Sequence, residues 1–205
     1  METTDPTALR ARIAANLGAF ERKAIDRDGL RRAAVAIVLS PHAGQICYIL
    51  SRRALTLRRG AGNYALPGGH SDPGEDAVAT AIRETSEELG VHLARGQALG
   101  LLDDFVTLGG HAVTPVVLWS DQALTLAPDP AEVHEAWLLP VAELDHPESP
   151  RVEANPDGAP IQKMFARGQW INPPTAAMLY QFREVALHGR ATRVIDIGQP
   201  SWTAN

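Results

Sequence analysis

Glu84, Glu87 and Glu88 are spaced i, i+3 and i+4 in the run Arg83-Glu84-Thr85-Ser86-Glu87-Glu88-Leu89. On a helix this spacing projects all three carboxylates from one face, within a few ångströms of each other. Three like charges so close repel, and without compensation they cost stability. A hard divalent cation is the obvious compensation, because Mg²⁺ or Mn²⁺ prefers oxygen ligands and keeps substrate phosphates and waters in its remaining positions. Arg83, next to the first glutamate, holds a carboxylate in place without titrating.

The flanking residues must position that helix. Gly68 and Gly69 follow Tyr64-Ala65-Leu66 and Pro67, as expected where a strand ends and backbone comes close to a ligand. Asp72-Pro73-Gly74-Glu75 reads as a helix start, with the alternative of a start a few residues later, near Asp76. Ala79, Ile82 and Leu89, with Ala81 or Val78, supply a buried stripe, and Gly90 ends the helix.

These residues resemble the Nudix box. Gly69, Glu75, Arg83, Glu84, Glu87, Glu88 and Gly90, followed by aliphatic Val91, match its charged and glycine positions; Thr85 departs, standing where the family has a larger aliphatic residue. Seven fixed positions coincide by chance in roughly one sequence of this length per million. That weighs against a merely solvated glutamate-rich helix.

The similarity runs on over residues 33–145 and is closest to the coenzyme A pyrophosphatase branch of Nudix hydrolases. It rests on Leu50-Ser51-Arg52-Arg53-Ala54, Leu57-Arg58-Arg59-Gly60-Ala61-Gly62-Asn63 and Leu66-Pro67-Gly68-Gly69 before the box. After the box, Leu102 to Thr107, Val113 to Val117 and Pro128 to Val133 add to it. Gly60, Asn63 and Leu66 replace the branch's usual His, Gln and Phe, and Trp170 to Met178 matches only loosely.

The resemblance implies Mg²⁺- or Mn²⁺-dependent hydrolysis of a diphosphate linkage in a small nucleotide derivative. Such a linkage repels attacking water, so it requires charge neutralisation, positioning and a base. Glu87 and Glu88 are expected as main metal ligands, with the Gly68 carbonyl oxygen as a third. Glu84 shares the metal or acts as base, oriented by Arg83. Glu75 is either part of the site or an ion-pair residue at the helix start. Glu132 is the expected further ligand from a later loop, with Glu135 and Asp103 as competitors.

Arg52, Arg53, Arg58 and Arg59 are candidates for substrate phosphates, although strand alternation should turn part of that set to solvent. Gly69 is expected to approach the substrate through its backbone. His70, His111 and His134 read first as surface histidines. Trp119, Trp137 and Trp170 read as core, with Trp170 beside a proline turn able to rim a pocket.

Coenzyme A or an acyl derivative, cleaved to 4′-phosphopantetheine and adenosine 3′,5′-bisphosphate, is the leading substrate expectation. The alternatives are another substrate (NADH, ADP-ribose or a nucleoside triphosphate) and a nucleotide-sensing module that does not cleave. The retained set of like charges argues for turnover.

Composition agrees with one enzyme domain of 205 residues, 45% hydrophobic. A net charge of −5, without a basic cluster interleaved with aromatics, argues against a nucleic-acid surface. No apolar run reaches about 18 residues, so no membrane span is expected. Met1 to Pro6 lacks a leader pattern and Cys47, the single cysteine, reads as core, which together suggest the cytoplasm. A homodimer is compatible with the chain.

Along the chain, Leu9, Ile13, Leu17 and Phe20 mark an amphipathic helix within a 1–32 extension. Ala33 to Ser40 and Ile46 to Ser51 read as a hairpin about Pro41-His42-Ala43-Gly44. Gly96 to Asp103, Ala112 to Trp119 and Glu135 to Pro140 give further strands, and Val141 to Leu144 a short helix. In the remaining 146–205 segment, His146 to Ala159 reads as an exposed loop, Thr175 to His188 as a helix and Arg193 to Ile197 as a last strand. Periodicity alone gives an α/β fold. The resemblance implies an α/β/α sandwich with a mixed central sheet and a helix at either end of the chain.

Overall fold

Ala33 to Ser40 is apolar almost throughout, the pattern of a strand covered on both faces. A computed structural model, describing residues 5–156 and 158–204, places it at the centre of the sheet. In chain order come α1 (Pro6–Ala19), β1 (Arg31–His42), β2 (Gln45–Arg53), β3 (Tyr64–Ala65), β4 (Gly68–His70) and α2 (Ala77–Leu89). Then follow β5 (Ala98–Leu101), β6 (Phe105–Val106), β7 (His111–Trp119) and β8 (Val133–Pro140). The last elements are β9 (Arg151–Glu153), β10 (Ile161–Ala166), β11 (Gln169–Ile171) and α3 (Thr175–Phe182), which continues as a π-helical turn over Arg183–Leu187.

Among the described residues β1 to β8 form one mixed sheet. β7 runs parallel to β1 along one edge. The other edge is divided: Leu39 to His42 pair with β2, and Ala33 to Val35 pair with β4. This division sets up the site, since the chain after β2 loops out, pairs back on β2 through Tyr64 and Ala65, and crosses to β1 at Gly68.

Alternation along β1 feeds two cores. Ala34, Ala36 and Val38 pack with Ala81, Leu89, Val116 and Leu118 beneath α2. Ile37 and Leu39 belong to the opposite core, with Ile13 and Leu17 of α1 and Leu179 and Phe182 of α3. Burying side chains on both faces is what fixes the register, because a slip of one residue would exchange the two sets. Ala43 and Gly44, at φ 48° and 77°, make the two-residue turn of the β1–β2 hairpin.

The expected helices form. Leu9, Ile13 and Leu17 are buried, with Phe20 just past the end of α1 and half-buried. α2 takes the later of the two starts: Asp76 caps it, accepting from the Ala79 amide at 2.9 Å, and Gly90 closes it at φ 65°. Its buried stripe differs from expectation. Thr80, Ala81, Thr85, Glu88 and Leu89 are buried, whereas Ala79 and Ile82 are half-exposed. Thr85 stays buried because its hydroxyl donates to the Ala81 carbonyl at 2.6 Å.

Two expectations fail. The 146–159 segment is not all loop: Arg151–Glu153 pairs with β10, and β9, β10 and β11 form a second small sheet. Met164, Ala166 and Ile171 of that sheet are buried in the main core, and β9 itself is too short and exposed to show a pattern. Arg193 to Ile197 makes no strand. Val194 alone is buried there, Ile195 is exposed, and the Ile197 amide turns back to the Val194 carbonyl at 3.2 Å. Met1 to Thr4 lie outside the described residues. Among the described residues no helix is long and apolar enough to cross a membrane.

Candidate active site

Arg83 organises the carboxylates. Its Nε donates to Glu75 Oε1 at 2.9 Å, and its two terminal nitrogens donate to Glu75 Oε2, the His70 carbonyl, Glu84 Oε1 and Glu87 Oε2 at 2.8–3.1 Å. Five N–H groups thus meet five acceptors, which only a guanidinium can do. Glu75 also accepts from the Asp72 amide and the Thr80 hydroxyl, each at 3.0 Å. The Arg83 bonds, followed by the Asp72 amide, hold its pKa down to about 2. Glu75 thus forms an ion pair with Arg83 ahead of the helix.

Glu84, Glu88 and Glu132 present carboxylate oxygens that all lie within 4.8 Å of one another. Glu88 is 4% exposed and accepts from the Gly68 amide at 3.3 Å. Burial pushes its pKa up to about 8, with Arg53 and the Gly68 amide opposing and Glu84 and Glu132 adding to the rise. The Glu84 side chain is 12% exposed, and burial raises its pKa against the pull of Arg83. For Glu84 and Glu88 burial is the largest cause of the rise, a cost to the charged form that a neighbouring cation would offset.

Glu132 arrives from a turn tied to the end of α2. The Asp129 amide donates to the Glu88 carbonyl at 2.9 Å, the Glu132 amide to the Asp129 carbonyl at 3.0 Å, and the Ala54 amide to the Glu132 carbonyl at 2.8 Å. Its competitors are placed elsewhere. Asp103 is buried under Arg193, Gln181 and the Lys23 amide, and Glu135 is exposed on β8 opposite Arg52. Glu87, expected as a main ligand, lies outside the group of three: its side chain is 55% exposed and bonded to Arg83.

The glycines act by having no side chain. Gly68, at φ 159°, lies so close to β1 that a Cβ would overlap the Ala34 carbonyl and stand 2.6 Å from Val35 Cα. A Cβ on Gly69 would meet the Glu84 carboxyl carbon at 2.6 Å.

Beside this cluster a cavity of about 540 Å³ opens between the 59–63 loop, β4, the β6–β7 turn and the Pro173-Pro174 segment. Arg31, Arg53 and Arg59 line it, and among its described lining residues there is no Asp or Glu. Arg53 and Arg59 are the members of the predicted arginine set that face it; Arg58 is exposed outside the lining, and Arg52 donates to the Gly62 carbonyl at 3.1 Å. Trp170 and Tyr64 supply aromatic wall, whereas Trp119 is core and Trp137 lies under the Arg167 guanidinium.

His70, exposed as expected, and His111, half-buried, both line the cavity, their Nε2 atoms 2.8 Å apart. His134 is exposed. Arg31 and the pairing of the two histidines escaped the sequence reading, since only sheet register brings β4, β1 and β7 together.

Residues 30–161 match the NUDIX domain. The chain belongs to the Nudix family. It is 39% identical over 119 residues to the uncharacterized Nudix hydrolase NudL of Photorhabdus laumondii, covering 57% of this chain and 62% of that one. It is 32% identical over 115 residues to the peroxisomal coenzyme A diphosphatase NUDT7 of Mus musculus, covering 56% and 49%. The matched chain thus spans about half to under two thirds of these relatives' length. A crystal structure of a NUDIX hydrolase from Alicyclobacillus acidocaldarius covers 82% of this Nudix chain and 98% of its own at 21% identity, with a TM-score of 0.51, a likeness of fold.

Proposed function

We propose that this Nudix protein hydrolyses a diphosphate linkage in a nucleoside diphosphate derivative, using Mg²⁺ or Mn²⁺, with coenzyme A or an acyl-coenzyme A as the leading substrate. The observation that carries the reading is the group Glu84, Glu88 and Glu132 beside a cavity lined by arginine. The coenzyme A choice draws support from the branch resemblance and from the similarity to NUDT7.

The donor set fits the ion. Three carboxylates within 4.8 Å offer hard oxygen ligands only, and two of them, Glu84 and Glu88, are largely withdrawn from water. Glu84, Glu88 and Glu132 would hold the ion, with Glu87 and the Gly68 carbonyl oxygen as further donors. When bound, such an ion neutralises phosphate oxygens and acidifies water.

The chain's own residues do the rest. Arg83 fixes Glu84 from one side and Gly69 from the other, so this carboxylate is held to receive a proton from the attacking water. Arg53 lines the cavity near Glu88 and is the group we assign to the substrate diphosphate. The aromatic wall receives the nucleoside.

The test is a panel of coenzyme A, acyl-coenzyme A, NADH, ADP-ribose and nucleoside triphosphates with Mg²⁺ or Mn²⁺, the products resolved by anion-exchange chromatography. Coenzyme A or its acyl derivative is expected to rank first in kcat/KM. A last place for coenzyme A removes the substrate choice, and no cleavage of any member removes the reaction.

A further inference from the structure

His70 of β4, Ala33 of β1 and Val113 of β7 stand in one row across three strands, and Arg31 stands beside His111 in the next same-facing row. Ala33 and Val113 pack into the core on the α1–α3 side, whereas Ala34 packs under α2. Side chains alternate along a strand, so His70, His111 and Arg31 share the face turned away from α2. Glu84 and Glu88, being on α2, belong to the opposite face.

The cavity therefore has a cationic wall separated from the carboxylates by the sheet itself. Arg59 joins that wall from the loop after β2. The two imidazoles meet through Nε2 at 2.8 Å, with ring centres 4.7 Å apart, and His111 Nδ1 lies 3.3 Å from the Thr107 hydroxyl. Burial lowers the His111 pKa, and Arg31, His70 and Arg59 lower it further. Positive charge is crowded there, and no described acid of the lining answers it.

We propose that Arg31, Arg59, His70 and His111 form a second anion site, which takes a phosphate monoester on the nucleoside part of the substrate, apart from the diphosphate that is cleaved. The scissile diphosphate has its place at Arg53 and the glutamates, at the edge where β4 meets the linking chain. The second group sits across β4 from it, reached by a nucleoside lying against Trp170 and Tyr64. Two planar guanidinium forks and an imidazole N–H match a tetrahedral dianion. His70 adds a link between the sites, because its carbonyl accepts from Arg83 at 2.8 Å.

This inference rests on the diphosphate-hydrolase reading but is tested without turnover. Isothermal titration of the full chain in EDTA compares adenosine 3′,5′-bisphosphate with adenosine 5′-monophosphate. The bisphosphate is expected to bind at least about tenfold more tightly, the scale of one charge-assisted contact. Arg59→Ala and His111→Ala should each bring the ratio of affinities towards one. Arg59 is exposed on a loop, so its variant informs even if His111→Ala fails to fold. Equal affinities in the unmodified protein, or a ratio that neither variant changes, overturns the second site. Inactivity on the substrate panel with this ratio intact would instead count against the hydrolase reading alone.

Discussion

Gly69 is the seat of Glu84: the Glu84 carboxylate lies where a side chain on residue 69 would have to be. Gly69 lies within β4 and is not among the glycines with positive φ. Position 69 is thus restricted by the neighbouring carboxylate and not by the chain.

Gly69→Ala should fold and lose activity. Displacing a catalytic carboxylate by about 1 Å costs on the order of a hundredfold in rate. We expect kcat to fall by at least about tenfold while the melting temperature moves by only a few degrees. Activity near the unmodified level would show that Glu84 tolerates displacement.

Arg83→Lys keeps the charge and loses the fork. Lysine has three donors against five acceptor oxygens, so at least two of the oxygens on Glu75, Glu84, Glu87 and the His70 carbonyl lose their partner. A drop in kcat of about a hundredfold is expected, comparable to loss of one preorganised electrostatic contact. Steady-state kinetics with saturating Mg²⁺ will decide it.

Glu88→Gln and Glu132→Gln each remove a charged oxygen from the group proposed to hold the ion, and Mn²⁺ affinity followed by electron paramagnetic resonance should weaken at least about tenfold. Glu135→Gln, outside the group of three, should retain affinity. The same ion should raise the melting temperature of the unmodified protein, because a ligand that binds only the folded state stabilises it. Equal affinity in Glu88→Gln would contradict the assignment.

Asp76 gives a pH test remote from the metal group. Arg95 foremost, then the Ala79 amide, lower its pKa from 3.8 to about 2. A depressed folded-state pKa stabilises above the unfolded value and ceases to do so as pH falls through about 2. Asp76→Asn keeps an acceptor for Ala79 and loses the charge. The variant should melt a few degrees lower at pH 7, the small scale reflecting side chains 53% and 66% exposed, and the difference should close between pH 4 and 2. A difference constant across that range would remove the charge from the account.

The box was readable because helix geometry is local. Spacing alone puts Glu84 and Glu88 on one face, and Asp76, Gly68 and Gly90 signal their turns through backbone preferences that need no distant partner. Glu132 was readable only as one choice among three, since it reaches the others by a turn bonded to Glu88. The short β9 was missed because three residues, two of them exposed, carry no periodic signal. Arg193 to Ile197 misled because β-branched residues such as Val194, Ile195 and Ile197 do not make a strand without a sheet edge to receive them.

The sequence by itself determined the acidic helix, its glycine-shaped approach and the hairpin of two aliphatic strands ahead of it. Those follow from periodicity and from what each residue's own backbone permits. Tertiary structure decided which carboxylates meet, which arginines face the cavity and that His70 lies against His111. The histidine pairing depends on register across β4, β1 and β7, strands up to about eighty residues apart in the chain, and the carboxylates meet through a turn bonded to Glu88.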